Sequence, residues 1–342
     1  MAVPSTIIVG GENLIDFVET HDINGIPQYS ANPGGSPFNV AIAAARLGNP
    51  VDYLSPLSTD RLGKLLAERL LGSGVAVKAP RLDAPTSLAV VSLEEGQPTY
   101  QFYRKDTAER LITRQGLQDA LKSDPWAFHI GSLAISGGED AVMWHEFFTQ
   151  CYQRGYQRGF QGGQEQGYQH DSGEAAVITS LDPNVRPALI ENRAGYMARL
   201  EDMFTRADII KLSDEDIAWL YPEMEIMAAF DHLCAISCKG LRVLTRGGDG
   251  AIASSPVARV ETPARPVHNL VDTVGAGDTF MAAMLAWLPA HGKTSRADLH
   301  ALSERDLGAM TAWAAQAAAM NCQQQGCNPP HLAEMTPSSG GA

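Results

Sequence analysis

Hydrophobic positions along the chain fall into short unbroken runs separated by longer stretches with helical spacing. Thr6–Val9 is β-branched and apolar and stops at Gly10-Gly11; Val51–Ser55, Ala127–Ile130, Val177–Leu181, Ile209–Leu212 and Leu241–Thr245 are similar runs. Strands buried on both faces by covering helices read this way, because no position alternates out to water. Phe38–Leu47 predicts an alanine-rich helix that ends at Gly48, and Leu62–Leu71 one closed by Gly72. Glycine suits both stops because it takes the left-handed conformation beyond a helix end. Met281–Leu288 and Ala309–Met320 predict two apolar helices late in the chain. The alternation predicts the α/β class, with a doubly wound, mostly parallel sheet. Leu88–Leu93 and Thr99–Arg104 flank Glu94-Glu95-Gly96-Gln97-Pro98 and predict a hairpin. The uneven spacing of the early strands predicts that Asp16–Ser30 and Ser87–Arg104 leave the main sheet to build a smaller one.

One segment breaks the pattern. Residues 152–171 read as five tetrads, Tyr-Gln-Arg-Gly twice, then Phe-Gln-Gly-Gly, Gln-Glu-Gln-Gly and Tyr-Gln-His-Asp. A period of four would put Tyr152, Tyr156 and Phe160 on one helical face, but glycine inside a helix costs roughly 1 kcal/mol relative to alanine. Four tetrads end in glycine, so the segment reads as a flexible Gln/Gly-rich insertion in a surface connection.

Composition narrows the function. The 342 residues are 44% hydrophobic and 19% charged, which excludes a wholly disordered chain. A formal net charge of −13 disfavours nucleic acid and anionic membranes, since the whole-protein field repels polyanions. No apolar run approaches the ~18 residues a membrane span needs. The opening residues lack a basic region followed by an apolar one, and they read as a first buried strand instead of a secretion signal. Five cysteines without a dense framework fit a reducing cytoplasm. Cys234/Cys238 and Cys322/Cys327 have no histidine in register and read as buried thiols, not a metal cluster. His129, His145 and His268 lack the nucleophile and acid of a hydrolase triad.

The strongest chemical signal is Asp272-Thr273-Val274-Gly275-Ala276-Gly277-Asp278-Thr279-Phe280, ahead of the helix from Met281. Small residues at 275–277 let the backbone approach a ligand, and their N–H groups at a helix N-terminus face an anion. Asp278 at that helix start is either an N-terminal capping acid or a general base for a bound hydroxyl. Two other phosphate motifs fail: Gly292-Lys293-Thr294 has Trp287 where a P-loop needs glycine, and Phe280 closes what would be a dinucleotide fingerprint. The second signal, Asn32-Pro33-Gly34-Gly35-Ser36-Pro37-Phe38-Asn39-Val40-Ala41, again opens a helix. Its glycine pair and amide suit either a neutral polyol or ordinary turn chemistry.

With both segments in view, the chain resembles the ribokinase-like, or PfkB, family of carbohydrate kinases. Asp272–Leu285 is similar to the family's C-terminal signature and Gly34–Asn39 to its sugar-binding segment. Within the family the motifs are most similar to those of bacterial fructokinases. These are Gly11-Glu12-Asn13-Leu14-Ile15-Asp16-Phe17, Phe102–Arg110, Leu181–Pro187 and Gly326-Cys327-Asn328-Pro329-Pro330. The resemblance implies a kinase domain over residues 1–335, with a β-lid from parts of 13–33 and 86–105. The insertion then occupies 150–173 and a flexible tail 336–342.

The resemblance also implies roles. Asp278 is the base that accepts the sugar proton, and Gly275, Ala276 and Gly277 form the anion hole for the γ-phosphoryl group. Asp16, Gly34, Gly35, Asn39 and Phe102 bind the sugar, and Arg104 approaches the sugar or the transferring phosphate from the lid. ATP lies along Asp182, Asn184, Arg186, Ser213, Thr245, Gly247, Gly248 and Gly250, with Asn321 and Asn328 around the adenine. The family's magnesium-associated N-x-x-E motif matches Ser213 and Asp216, leaving open whether Glu215 or Asp216 faces Mg²⁺, held through water. Asp272 and the Val274 carbonyl match a monovalent-cation site, implying K⁺ activation. The expected reaction is transfer from ATP to D-fructose, giving fructose 6-phosphate, in a cytoplasmic homodimer. Other acceptors (2-keto-3-deoxygluconate, ribose, a nucleoside) and a catalytically silent sugar-binding member share these motifs.

Overall fold

The computed structural model describes residues 6–24, 26–94, 97–154, 176–236 and 239–335. The tail 336–342 and most of the tetrad segment lie outside the described residues.

In chain order the strands are β1 (Ile7–Val9), β2 (Leu14–Ile23), β3 (Ile26–Gly34), β4 (Val51–Tyr53), β5 (Leu57–Ser58), β6 (Ala76–Val77), β7 (Arg81–Leu82) and β8 (Ser87–Glu94). They continue with β9 (Gln97–Tyr103), β10 (Ala127–Gly131), β11 (Ile178–Asp182), β12 (Ile209–Ser213), β13 (Leu241–Thr245), β14 (Ala251–Ser254) and β15 (Arg259–Thr262). Nine form the main sheet in the order β15-β14-β13-β12-β11-β10-β1-β4-β6, parallel except at β13–β14 and β14–β15. The antiparallel edge was not visible in the sequence, where no run after Leu241–Thr245 stood out as a strand.

Strand periodicity explains the two cores. Side chains alternate across a strand, so Ile7 and Val9 join one apolar cluster and Ile8 the other. The first cluster is covered by α1 (Ser36–Arg46), α2 (Arg61–Gly72), and two later helices, Ala276–Ala290 and Glu304–Asn321. The second is covered by Glu139–Arg154, Arg193–Arg206, Asp214–Leu220 and Ile226–Ile236. Helices on both faces make the sheet doubly wound, as the short apolar runs predict. The helix from Glu139 runs through Arg154, so its last turn takes in the first residues of the tetrad segment.

A separate sheet, ordered β3-β2-β8-β9, forms the lid. Its pairs are antiparallel except β2–β8, where Asp16 lies opposite Ala89; across β2–β3, Asp16 lies opposite Asn32. β2 leaves the core within five residues of Val9, and β3 runs directly into α1, so the lid is rooted where the main sheet ends. Ligands of open α/β sheets bind beyond the carboxyl ends of the strands. Asp182, Ser213 and Thr245 occupy that edge as the last residues of β11, β12 and β13.

Candidate active site

The helix Ala276–Ala290, hereafter α3, starts at Gly275 in a left-handed conformation (φ 74°). A Cβ there would overlap the Cys327 sulfur, so both the backbone angle and the space require glycine. Asp278 stands in the first turn and is buried. It is not spent on capping its own helix: Ser36 Oγ donates to its Oδ1 at 2.7 Å and Asn39 Nδ2 to its Oδ2 at 2.8 Å. Both donors come from the first turn of α1, so the two motifs meet at one carboxylate. Burial raises the Asp278 pKa, against the pull of Ser36, Asn39 and the positive charges of Lys211 and Arg186.

Asp16 reaches this carboxylate's field from the lid. Burial pushes its pKa up to about 6; Arg186 pulls it down and the Asp278 charge adds to the rise. A Cβ on Gly34 would overlap Asp16 Oδ2, so the glycine seats that carboxylate against bare backbone. Gly35 (φ 112°) leaves room for the Glu12 carbonyl, 2.6 Å from where its Cβ would stand. Phe102 packs at the lid root with Leu14, Ala89 and Leu133.

Beneath the glycine turn lies a buried ion pair. Lys211 Nζ, on β12, is 2.7 Å from Asp182 Oδ2, and an added Cβ on Gly277 would stand 3.1 Å from the same Nζ. Burial works against the ammonium, yet Asp182, Asp216 and Asp278 together raise the Lys211 pKa. Burial drives the Asp182 carboxyl upward, and Lys211 opposes it. His129, on β10, bonds Ser180 Oγ at 3.0 Å through Nδ1; burial and Lys211 push its pKa down to about 3, so it stays neutral.

The residues expected along ATP divide into two kinds. Gly247 and Gly248 stand in open space and Gly250 takes φ 88°, while Thr245 Oγ1 donates to the Leu212 carbonyl at 3.3 Å. Arg186 is exposed and Asn184 has φ 37°. Asn321 and Asn328 instead work as staples. Asn321 Nδ2 donates to the Val274 carbonyl at 2.8 Å, and its Oδ1 accepts the Asn328 N–H at 2.9 Å. Asn328 Oδ1 also accepts from Arg46 at 2.8 Å and Arg69 at 3.1 Å.

Three placements differ from expectation. Arg104 is buried, with Nε 2.9 Å from Glu109 Oε1 and Nη1 3.3 Å from the Leu133 carbonyl. Its charge is committed to the lid root, and Arg186 is the cation in the field of Asp16 and Asp278. Asp216 caps its helix from within: Oδ2 accepts from Ser213 N–H at 2.9 Å and Oγ at 2.8 Å, and Oδ1 from Val185 N–H at 2.7 Å. It nevertheless lies in the field of Lys211 and Asp182, whereas Glu215 is exposed. The Asp272 carboxylate accepts from Val274 N–H at 3.0 Å and Gly326 N–H at 2.9 Å, which ties the loop before the glycine turn to the 326–329 loop.

Ser36 and Lys211, which contact Asp278 and Asp182, carried no role in the sequence reading. Ser36 lay inside a quoted motif without a role. Lys211 carried a usable signal, a lone charge inside an otherwise apolar buried strand, which needs a partner.

Across the chain, residues 5–163 and 169–334 match the model of the pfkB family carbohydrate kinases. This chain belongs to that family. The break at 164–168 falls within the tetrad segment. The kinase is 33% identical over 305 residues to a fructokinase of Rhizobium leguminosarum bv. trifolii, covering 88% of this chain and 85% of the relative. It is 30% identical to fructokinase-1 of Oryza sativa subsp. japonica over 83% of this chain and 84% of that one. The fold superposes on the ATP-bound fructokinase of Xylella fastidiosa with a TM-score of 0.82, 27% identity and 96% coverage of both chains.

Proposed function

We propose that this chain is an ATP-dependent fructokinase that phosphorylates the 6-hydroxyl of D-fructose. The observation that carries the reading is the Asp278 carboxylate, buried at the entrance of α3 and held by two neutral donors from α1. A carboxylate fixed in this way, beside three small residues whose N–H groups open a helix, has the parts of phosphoryl transfer. Such transfer needs positioning and charge stabilisation more than covalent chemistry.

The sugar lies between lid and core, with Asp16 accepting protons from its hydroxyls. The hydroxyl oxygen attacks the γ-phosphorus in line, and Asp278 Oδ takes its proton as the new P–O bond forms. The bond to the β-γ bridging oxygen breaks and ADP leaves. The backbone of Gly275, Ala276 and Gly277 faces the charge on the transferring group, with the α3 dipole and the Lys211 ammonium behind it. Lid closure excludes water and so limits ATP hydrolysis when sugar is absent. Support from homology is direct on the sugar, since the bacterial and plant relatives over more than four-fifths of the chain are fructokinases.

A divalent cation fits the edge of β11 and β12. Asp182 Oδ1 is buried without a hydrogen-bond partner among the described residues, and Asp216 adds negative charge beside it. Bound there as Mg²⁺, it would neutralise the nucleotide's β- and γ-oxygens. For K⁺ the fit is less open, since Asp272 and the Val274 carbonyl already accept N–H donors. The lid exposes several large apolar residues, Val18, Ile23, Ile26, Tyr29 and Tyr103, and this exposure supports a homodimer. No helix among the described residues is long and apolar enough to cross a membrane, in keeping with a cytoplasmic enzyme.

The test is ADP release with Mg²⁺–ATP across a panel of fructose, ribose, 2-keto-3-deoxygluconate and nucleosides. Fructose-dependent turnover yielding fructose 6-phosphate is expected. Preference for another acceptor would replace the substrate; folded protein that binds sugar but turns nothing over would replace the activity.

A further inference from the structure

The donor pair that grips Asp278 is itself anchored, and the anchor is an acid with no part in the reaction just described. Glu12 follows β1 and is 1% exposed. Its Oε1 accepts the Ser36 N–H at 3.0 Å. Ser36 is the first residue of α1, and the position before it is Gly35, which has no side chain to cap the helix. Glu12 therefore supplies from another segment the acceptor that a capping residue would ordinarily provide. Its negative charge lies at the positive end of the helix dipole. The backbone on both sides of this contact is pinned: the Tyr53 hydroxyl donates to the Glu12 carbonyl at 3.0 Å, and Gly35 leaves space for that same carbonyl.

The geometry points to Glu12 as a positioning residue for phosphoryl transfer, acting through Ser36 to hold the Asp278 carboxylate in its reactive orientation. The chain of contacts is short: Glu12 Oε1 takes the Ser36 amide proton, Ser36 Oγ donates to Asp278 Oδ1, and Asn39 one turn on donates to Oδ2. If the first turn of α1 shifts, both donors move together, and Asp278 loses its aim while the glycine turn and the nucleotide edge are untouched. A packing role alone does not explain the choice of residue. Glu12 Oε2 is buried without a hydrogen-bond partner among the described residues, which is costly for a carboxylate. The charged and titratable groups around it are Arg104 from the end of β9, Glu109 from the turn after it, and Tyr53 from β4. Arg104 is paired with Glu109, so Glu12 has no ion-pair partner of its own among the described residues. The acid persists at a cost that a purely structural site avoids by using an apolar residue.

The inference rests on the kinase reading, and its test separates the two. Glu12→Asp keeps charge and burial but withdraws the oxygen from Ser36; Glu12→Gln keeps the acceptor and removes the charge. In steady-state assays Glu12→Asp is expected to lower kcat at least tenfold with KM for ATP unchanged, and Glu12→Gln to stay within threefold of the parent. Because part of the Glu12 effect passes through Ser36 Oγ, Glu12→Asp in a Ser36→Ala background is expected to lower kcat by a smaller factor than it does in the parent. An unchanged kcat in Glu12→Asp, a tenfold loss in Glu12→Gln, or independent losses in the double variant would each overturn the assignment. Should Glu12→Asp fail to fold, the unsubstituted protein decides: the Ser36 amide proton is expected to move with pH in nitrogen-15 NMR spectra, in Asp278→Asn as in the parent. A Ser36 amide that is blind to pH sinks the assignment. A parent without turnover on any sugar removes the kinase reading and leaves the NMR result standing by itself.

Discussion

Lys211, in the middle of β12, and Asp182, the last residue of the neighbouring parallel β11, face each other at 2.7 Å beneath Gly277, both buried. A buried pair gains little net stability, since desolvating two charges costs about what their attraction returns. In the proposed mechanism it fixes a positive charge behind the turn that would face the transferring phosphate. Lys211→Met leaves the Asp182 charge unpaired and is expected to cost about 3–5 kcal/mol of stability, read by chemical denaturation. Lys211→Met with Asp182→Leu should recover most of that stability but not kcat. Recovery of both would show that the pair is only a structural strut.

Gly34 and Asp16 make a second such relation, across the β2–β3 ladder. Since a Cβ at 34 would overlap Asp16 Oδ2, Gly34→Ala must displace the carboxylate. The prediction is a rise in KM for the sugar of roughly tenfold, the equivalent of about 1.4 kcal/mol. KM for ATP should change less, because an added Cβ on Gly34 meets Asp16 and Leu14 and none of the residues expected along ATP. A change in ATP affinity of the same size would mean that the lid and the nucleotide loop are coupled.

Much of this was legible in the sequence, for physical reasons. The parallel strands announced themselves because they are apolar on both faces, and Gly48 and Gly72 marked helix stops by their backbone freedom. Asp278 and Asn39 were legible because each opens a helix behind a glycine turn. Convergence was not: Ser36 and Asp278 are 242 residues apart, and periodicity carries no information on long-range pairing. Arg104 misled for a related reason. An arginine ending a lid strand reads as a cation aimed at the ligand until Glu109, five residues on, is seen to fold back on it. Strand β15 escaped because it is a partly exposed edge of four mixed residues that look like a loop, and β14 because its four buried residues, Ala-Ile-Ala-Ser, make too short and weakly apolar a run to stand out.

Glu12 also predicts how stability depends on pH. Burial raises its carboxyl from an ordinary 4.5 to about 7, against the pull of Arg104. An acid raised on folding binds its proton more tightly in the native state, so its contribution is complete below 4.5 and is lost as pH rises towards 7. At 1.36 kcal/mol per pH unit the loss is about 3 kcal/mol. Thermal unfolding of the parent should therefore fall in midpoint between pH 5 and 7.5 relative to Glu12→Gln, taking those limits as about the titration range of the group. Parallel curves for the two proteins would show that Glu12 titrates normally.

Asp278→Asn bears most directly on the chemistry. The amide keeps the volume of the side chain and retains one acceptor for Ser36, so the fold and the sugar seat should survive. It cannot take a proton at pH 7, and removal of one positioned base typically costs ~10²–10⁴-fold in rate. The expected result is a loss of that size in kcat with sugar binding by calorimetry nearly unchanged. In the parent, burial raises the Asp278 pKa and Asp16 titrates at about 6, so kcat/KM should decline as pH falls through about 6, higher than ordinary aspartates would give. Residual turnover in Asp278→Asn should lose the Asp278 part of that decline and keep the Asp16 part. A variant with parental kcat would assign proton transfer to another group and leave Asp278 as no more than an N-terminal acid of α3.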